Sequence, residues 1–553
     1  MKNLVKSLLL ALGVMPGLLA AATPERSLLR TGLAFQEGKV YLWLRSSVPV
    51  TRPNLFLRTE HTDSTVFYAT YRDFAKNLWI RDTVGTYFAF ELKKPKPDSV
   101  YVYRALAVDA EKYYPYLTEN RRFRLLKTPE GWQEGLVVTL GPFLALPTET
   151  TMTVFWWANR PVPARVEARG PEGSRVVAEA APGLRQEATL RNLKPGSEYR
   201  YRVVLLGEAD TFATRWFRFH TLSPGRVRLA VTGDSRMSWR YPETGGRVNR
   251  VAYRVVQEVM LALYREQPDA IVFTGDLVSG YARDTAFASL QFRTWLDATW
   301  PVSARIPVLP VMGNHDAAAT TVKLADAQAD AALRPWLGEA LWARIFTLPA
   351  NGPRAPEGAR PYAENVYYWD LGPVRLIVLN TDYGYAEFLR KRNEPKRRPR
   401  PRVDARQRAW LQEVTRGLRR YPIVAYHEPA YPVIPNHSLD RAPEARDSLW
   451  AALLQTPVQM VFNGHEHLFA HSVIDSTVDP RWHRPIHQFI VGRAGAPLYS
   501  PSYRGIPVPP YVQRLSPQES YALVTVDGTG VQVVVRNLAG EVLDRLTLPA
   551  EVR

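Results

Sequence analysis

The chain has 553 residues, 46% of them hydrophobic and 22% charged, which excludes a wholly disordered or collagen-like polymer and suggests three or four domains. It contains no cysteine, so disulfides, thiolate metal sites, a cysteine nucleophile and a lipid-modified N-terminal cysteine are excluded, and any metal must be held by oxygen and nitrogen ligands. With 71 Lys+Arg against 53 Asp+Glu the net charge is +18, which attracts anions over long range without naming one.

Lys2 and Lys6 precede an apolar run from Leu8 to Ala22, and Thr23-Pro24-Glu25-Arg26 follows. This is the order of a secretory signal, with cleavage expected after Ala20 or Ala22. Gly13, Pro16 and Gly17 interrupt the run, which is short for a bilayer span; an uncleaved anchor is the competing reading. A secreted or periplasmic protein is expected.

Residues 27–127 alternate β-branched and aromatic residues, as in Lys39–Arg45 and Ser99–Arg104, with polar or proline-containing breaks. They are expected to form a small β-sandwich of unknown role. A second β module is expected over 134–222, with a strand at Thr151–Trp157 and a strand–turn–strand at Ala188–Val203. That segment resembles a fibronectin type III sandwich, in which the tyrosine after the turn, here Tyr199, hydrogen-bonds back to the connection.

After Ser223-Pro224-Gly225, short apolar strands alternate with amphipathic helices, the pattern of an α/β domain over 226–553. Strands are expected at Arg226–Thr232, Ala270–Thr274, Pro307–Met312, Arg375–Asn380, Ile423–Tyr426 and Val458–Asn463, with a helix at Arg247–Arg265. Tyr521–Val526 and Val531–Arg536 are expected as edge strands. Between Arg390 and Arg402 eight Lys/Arg stand against one Glu, among three prolines. This run reads as a solvated loop or as a contact for anionic surfaces. It lacks the interleaved aromatics of a stacking platform, so specific nucleic-acid recognition is not expected.

The strand ends carry the chemistry. They read Gly233-Asp234-Ser235-Arg236, Gly275-Asp276, Gly313-Asn314-His315-Asp316, His427 and Gly464-His465-Glu466-His467. The carboxyl ends of α/β strands form the binding crevice, so these segments bring Asp, Asn and His donors to one edge. Mixed carboxylate, amide and imidazole ligands suit zinc, manganese or iron. A lone Gly-Asp is a turn and a lone His a core residue; the conjunction, spread from 234 to 467, is specific.

These residues resemble the calcineurin-like metallophosphoesterase superfamily, in its purple acid phosphatase-like branch with an N-terminal fibronectin-like domain. The resemblance covers residue 134 to the C-terminus and implies a four-layer α/β/β/α sandwich behind the two all-β sandwiches. It implies that Asp234 and His467 bind a first metal, that Asp276 bridges two, and that Asn314, His427 and His465 complete the second. It further implies that His315 protonates the leaving group, with Asp316 orienting it. The implied activity is metal-dependent phosphoester hydrolysis, with a monoester expected as substrate. Phosphodiesterase or nucleotidase activity on the same site, and a degenerate-site envelope-binding protein, remain as alternatives.

Two positions depart from the family pattern. Arg236 stands where many members have a histidine ligand, and arginine, always protonated, binds no metal; it reads either as a substrate clamp or as a structural salt bridge. Ser279 stands where purple acid phosphatases have a tyrosine, and Tyr281 lies two residues on. The first metal site is therefore expected to be the weaker one. His437, in the loop after His427, reads as a substrate contact or a surface histidine.

Overall fold

The structure is a computed structural model, and it describes residues 29–60, 75–76, 85–111, 115–237, 248–282, 285–319, 337–355, 362–383, 400–499, 501 and 505–549. The expected signal segment 1–22 and the basic run up to Pro399 lie outside these residues. Among the described residues no helix is long and apolar enough to cross a membrane.

Among the described residues from Arg30 to His220, strands build the chain apart from one 3-10 turn at Pro171–Gly173. The long strand Lys39–Thr59 pairs through its first half with Arg30–Gln36 and Gly85–Glu91 and through its second half with Ser99–Asp109. Around it lies an apolar core that includes Leu42, Leu44, Leu57, Phe90 and Phe123. Gly131–Glu134 pairs with Arg121–Thr128, so this first sheet runs on past Lys127.

The second unit repeats the device, with Met152–Arg169 pairing along its length with Arg175–Leu190 and at either end with Val138–Ala145 and Glu198–Leu206. Here the Tyr199 hydroxyl accepts from the Lys194 amide at 2.9 Å, as the fibronectin-like pattern implies. The same bond recurs in the first unit, where the Tyr101 hydroxyl accepts from the Lys96 amide at 2.7 Å.

Two sheets form the remainder. In the first, Val308–Pro310, Ala270–Phe273 and Val227–Thr232 run parallel, followed by Ser520–Asp527, Gly530–Asn537 and Val542–Leu548 in antiparallel pairing. The second orders Tyr367–Leu371, Val374–Val378, Tyr421–Ala425, Met460–Asn463, Ile486–Val491, Phe469–Ile474 and Val512–Ser516. Successive residues of a strand face opposite sides of its sheet. Accordingly Leu376 and Val378 join a core shared with Leu229, Val231 and Phe273 of the first sheet, while Ile377 and Leu379 pack with Trp410, Leu411, Leu449 and Trp450 of two helices. The two sheets thus lie face to face, with the helices Ala405–Thr415 and Pro443–Leu454 covering the second.

Two expectations need correction. The helix expected from Arg247 begins at Tyr253, because Val248 and Val251 bridge to each other and Val251 also bridges to Arg236. Ser520–Asp527 is not an edge strand; it lies between Val227–Thr232 and Gly530–Asn537, and its residues are buried on both faces. The edge is Val542–Leu548, whose residues are half-buried or exposed.

Candidate metal centre

Each expected ligand lies just beyond the carboxyl end of a parallel strand. Asp234, Asp276 and Asn314 follow Val227–Thr232, Ala270–Phe273 and Val308–Pro310; His427 and His465 follow Tyr421–Ala425 and Met460–Asn463. The chain must turn inward sharply at these points. Asp234, Asp276 and His465 do so in the left-handed region, with φ of 57°, 50° and 69°, a conformation that costs about 1 kcal/mol or more in a non-glycine residue and marks functional sites. The preceding glycines leave the room: a Cβ on Gly275 would lie 2.5 Å from His427 Nδ1, and one on Gly464 would lie 2.2 Å from Asp234 Oδ2.

The donors gather into two clusters that share Asp276. In one, Asp276, His427 and His465 each offer an atom within 4.8 Å of the others; in the second, Asp234, Asp276 and His467 do so. Asn314 joins the former, its Oδ1 lying 3.2 Å from His427 Nε2 and 3.1 Å from His465 Nδ1. All the residues named are buried or nearly so.

Three imidazoles are each tied by one nitrogen to a backbone carbonyl. His427 Nδ1 donates to Thr274 at 2.8 Å, His465 Nε2 donates to His437 at 3.0 Å, and His467 Nδ1 donates to Pro497. A neutral imidazole that donates through one nitrogen presents a lone pair on the other, which is how metal-binding histidines are oriented. The atoms this leaves for a cation are His465 Nδ1, His467 Nε2 and His427 Nε2, whose proton Asp276 and Asp234 retain against burial until a cation displaces it; His467 Nε2 is buried with no hydrogen-bond partner. A buried, unsatisfied acceptor beside two carboxylates is what a cation would repair. The residues therefore fit the divalent ions that the fold implies.

Electrostatics among these residues follow the same crowding. Burial pushes the Asp234 carboxyl well above its usual range, and Asp276 adds to the push. Burial opposes ionisation of Asp276 too, but His427, His315 and Arg236 outweigh it and hold that carboxyl well below its usual range.

His315 sits at the rim. Its amide donates to Asp276 Oδ1 at 2.9 Å and its Nδ1 to the Ser279 carbonyl at 2.7 Å, with the Tyr281 ring edge-on 5.2 Å away. Burial, with Arg236 nearby, lowers its pKa to about 4. Asp316 does not orient His315. Its carboxylate instead accepts from the amides of Leu277 at 3.0 Å, Val278 at 3.4 Å and Gly313 at 2.9 Å, pinning the turns that carry Asp276 and Asn314. Consecutive residues of a helical turn point in different directions, so adjacency in sequence placed Asp316 away from the ring.

Arg236 makes a salt bridge: its Nε lies 3.1 Å from Asp276 Oδ2, and its Nη2 donates to the Tyr499 hydroxyl at 2.7 Å. Ser279 uses its hydroxyl on the backbone, accepting from the Met237 amide at 2.8 Å and sharing its one proton between the carbonyls of Met237 and Arg250 at 2.6 and 2.7 Å. The His437 ring lies 4.7 Å from that of His465 and 5.1 Å from that of Tyr499.

Sequence reasoning missed Tyr499, whose ring stacks 4.0 Å from His467; it arises from an irregular segment with no periodicity to mark it. Also missed were Asp382 and Glu428, buried acids behind His427 and His465. Burial pushes Asp382 to about 6, with Asp276 adding to the shift and a hydrogen bond with Glu428 opposing it; burial and Asp382 push Glu428 well above its usual range, while Arg441 lies 3.3 Å from Glu428. Glu428 follows His427 directly, and that adjacency was the available signal.

Residues 227–469 match the family model described as calcineurin-like phosphoesterase. Among solved structures the chain is similar to the purple acid phosphatase PPD1 from yellow lupin (Lupinus luteus) seeds, at 15% identity and a TM-score of 0.58, covering 92% of this chain and 93% of that one. A dimetal phosphatase from Danio rerio aligns at 13% identity and a TM-score of 0.37, covering 59% of this chain and 99% of that one. No curated protein matches the chain. Residues 227–469 thus match the calcineurin-like phosphoesterases, hydrolases of phosphoric ester bonds, and the chain as a whole has the fold seen in a purple acid phosphatase.

Proposed function

We propose that the chain is an exported, metal-dependent phosphomonoesterase, with residues 27–127 and 134–222 as its two β modules and 226–553 as its catalytic domain. The observation that carries this reading is the pair of clusters sharing Asp276, lined by three imidazoles whose untethered nitrogens face inward. Asp276, Asn314, His427 and His465 would hold one ion, and Asp234, Asp276 and His467 would hold the other. Such ions, when bound, supply an activated water and neutralise phosphate oxygens.

The protein's own residues account for the rest. His315 donates through Nδ1 to Ser279, so its Nε2 is the atom that would carry a proton to the leaving oxygen. With its pKa lowered to about 4 by burial and Arg236, the ring is neutral at pH 7. A phosphate dianion beside it favours the imidazolium and raises that value, so substrate itself would arm the acid. Asp316 holds the turns that carry Asp276 and Asn314. The apolar run at Leu8–Ala22 supports export, and N-terminal sequencing of the secreted product checks it.

The test is turnover of an aryl phosphate monoester and a diester by metal-loaded protein. Faster monoester turnover, lost by at least a hundredfold in His427→Ala and falling in His315→Ala most for esters whose leaving groups are weakly acidic, is expected. Metal binding without turnover of either ester would overturn the reading in favour of a binding protein.

A further inference from the structure

The two clusters differ in one respect that their ligand lists hide. Among the described residues, no Lys or Arg pairs with Asn314, His427 or His465, the ligands that belong to one cluster alone. The cluster of Asp234, Asp276 and His467 has a fixed cation built in, because Arg236, 9% exposed, places its Nε 3.1 Å from Asp276 Oδ2. The guanidinium is held from its far side as well. Its Nη2 donates to Tyr499, and the Tyr499 ring stacks on His467 with centroids 4.0 Å apart. Arg236, Tyr499 and His467 thus form a continuous clamp around this cluster.

Resting on the phosphoesterase reading, we propose that Arg236 takes over the charge-compensating role of one ion: the protein binds a single ion tightly at Asp276, Asn314, His427 and His465 and a second only weakly at Asp234, Asp276 and His467. Two effects act in the same direction. The guanidinium occupies the carboxylate oxygen of the shared ligand that faces it, and a charge–assisted hydrogen bond of this kind is about twice as strong as a neutral one. It also repels an incoming dication in a site screened from water, where Coulomb forces are strongest. Asp276 is the residue both ions would share, so an ion at the first site competes with Arg236 for it. An arginine cannot yield by losing its proton.

The test is metal stoichiometry, read without any substrate. Protein stripped by chelation is dialysed against graded Mn²⁺, bound equivalents are counted by mass spectrometry, and the spin coupling of neighbouring Mn²⁺ ions is read by electron paramagnetic resonance. The wild-type protein is expected to hold one equivalent, with an uncoupled signal, and to gain the second only at free Mn²⁺ at least about a hundredfold higher. Arg236→Ala and Arg236→His should narrow that gap tenfold or more and show the coupled signal. Arg236→Lys keeps the charge and should keep the gap, which separates charge from packing should the other variants fold poorly. Asn314→Ala should lose the tight equivalent. Two equivalents of equal affinity in the wild type, or an unchanged gap in a folded Arg236→Ala, would overturn the proposal and leave the phosphoesterase reading standing. No bound Mn²⁺ in any variant would overturn both.

Discussion

The two β modules are built alike and attached differently. Lys96-Pro97-Asp98-Ser99-Val100-Tyr101-Val102-Tyr103-Arg104 and Lys194-Pro195-Gly196-Ser197-Glu198-Tyr199-Arg200-Tyr201-Arg202 share lysine, proline, serine, both tyrosines and arginine at matching positions. In each the first tyrosine closes the corner and stacks on a phenylalanine of the neighbouring strand, Phe123 at 5.0 Å and Phe219 at 5.5 Å. Their relation to the catalytic domain diverges. The core of the second module is continuous with that domain, and Tyr201 donates to the Ala304 carbonyl at 2.8 Å. The first keeps a core of its own and reaches across mainly through polar groups. Asn120 donates to Asp297 at 2.9 Å and to Tyr253 at 2.8 Å, and Asn249 donates to Glu119 at 2.9 Å. An apolar joint makes two modules melt as one, whereas a polar joint lets them part.

The matched phenylalanines give the largest test of that difference. Both are buried, at 2% exposure for Phe123 and 1% for Phe219, so truncation to alanine should cost about 3–5 kcal/mol in either module. Calorimetry should nevertheless separate them. Phe219→Ala is expected to lower the transition in which the catalytic domain melts and phosphoesterase activity is lost. Phe123→Ala is expected to bring forward a minor transition while the catalytic one, and the bound metal, stay in place. A single transition shifted equally by both variants would erase the distinction between the joints.

The resemblance between the modules was only half legible. Gly196, at φ 57°, announces a turn in the second module; Asp98 takes the same left-handed position at φ 55° in the first. Aspartate tolerates that conformation but signals it less clearly than glycine, so the segment before Tyr101 read as a break between strands. In the catalytic domain the glycine–polar pairs at strand ends were plain, because strand periodicity stops there and the side chains that follow have one edge to face. What sequence could not supply was partnership across the fold. Arg236 was left between two roles until Asp276 and Tyr499 appeared beside it, and Asp316 was assigned to its neighbour in sequence rather than to three amides.

A third joint is ionisable. At the far edge of the catalytic domain Asp544, on the last strand of the first sheet, lies 2.7 Å from His471 Nδ1, and His471 Nε2 lies 2.9 Å from His487 Nδ1 on the second sheet. Burial lowers His487 to about 4, with His471 adding to the shift and Asp544 opposing it. The unfolded chain therefore takes up this proton near pH 6.5 while the folded chain resists until about 4. The stabilising contribution is complete above about pH 6.5 and is lost as pH falls towards 4, amounting to up to about 3 kcal/mol. Thermal melts between pH 7 and 4 should show the catalytic transition falling, with the fall flattened in His487→Gln. An unchanged slope in that variant would show that the joint does not titrate in this range.

The smallest effect is the most direct measure of how alike the modules are. Tyr101→Phe and Tyr199→Phe each remove one hydroxyl that accepts a backbone amide, at 2.7 Å and 2.9 Å. The rings stay to fill their places in the two cores. A hydrogen bond of this kind contributes about 1 kcal/mol net, and Lys96 and Lys194 are exposed, so water can replace the partner that their amides lose. Equal losses near that value are expected in both modules, each read from its own melting transition. The Tyr199→Phe loss should also appear in the catalytic transition, because that module and the phosphoesterase domain share one core. Were Tyr101→Phe to move the catalytic transition by as much as Tyr199→Phe, the polar joint at Asn120 and Asp297 would be transmitting stability as fully as the apolar one.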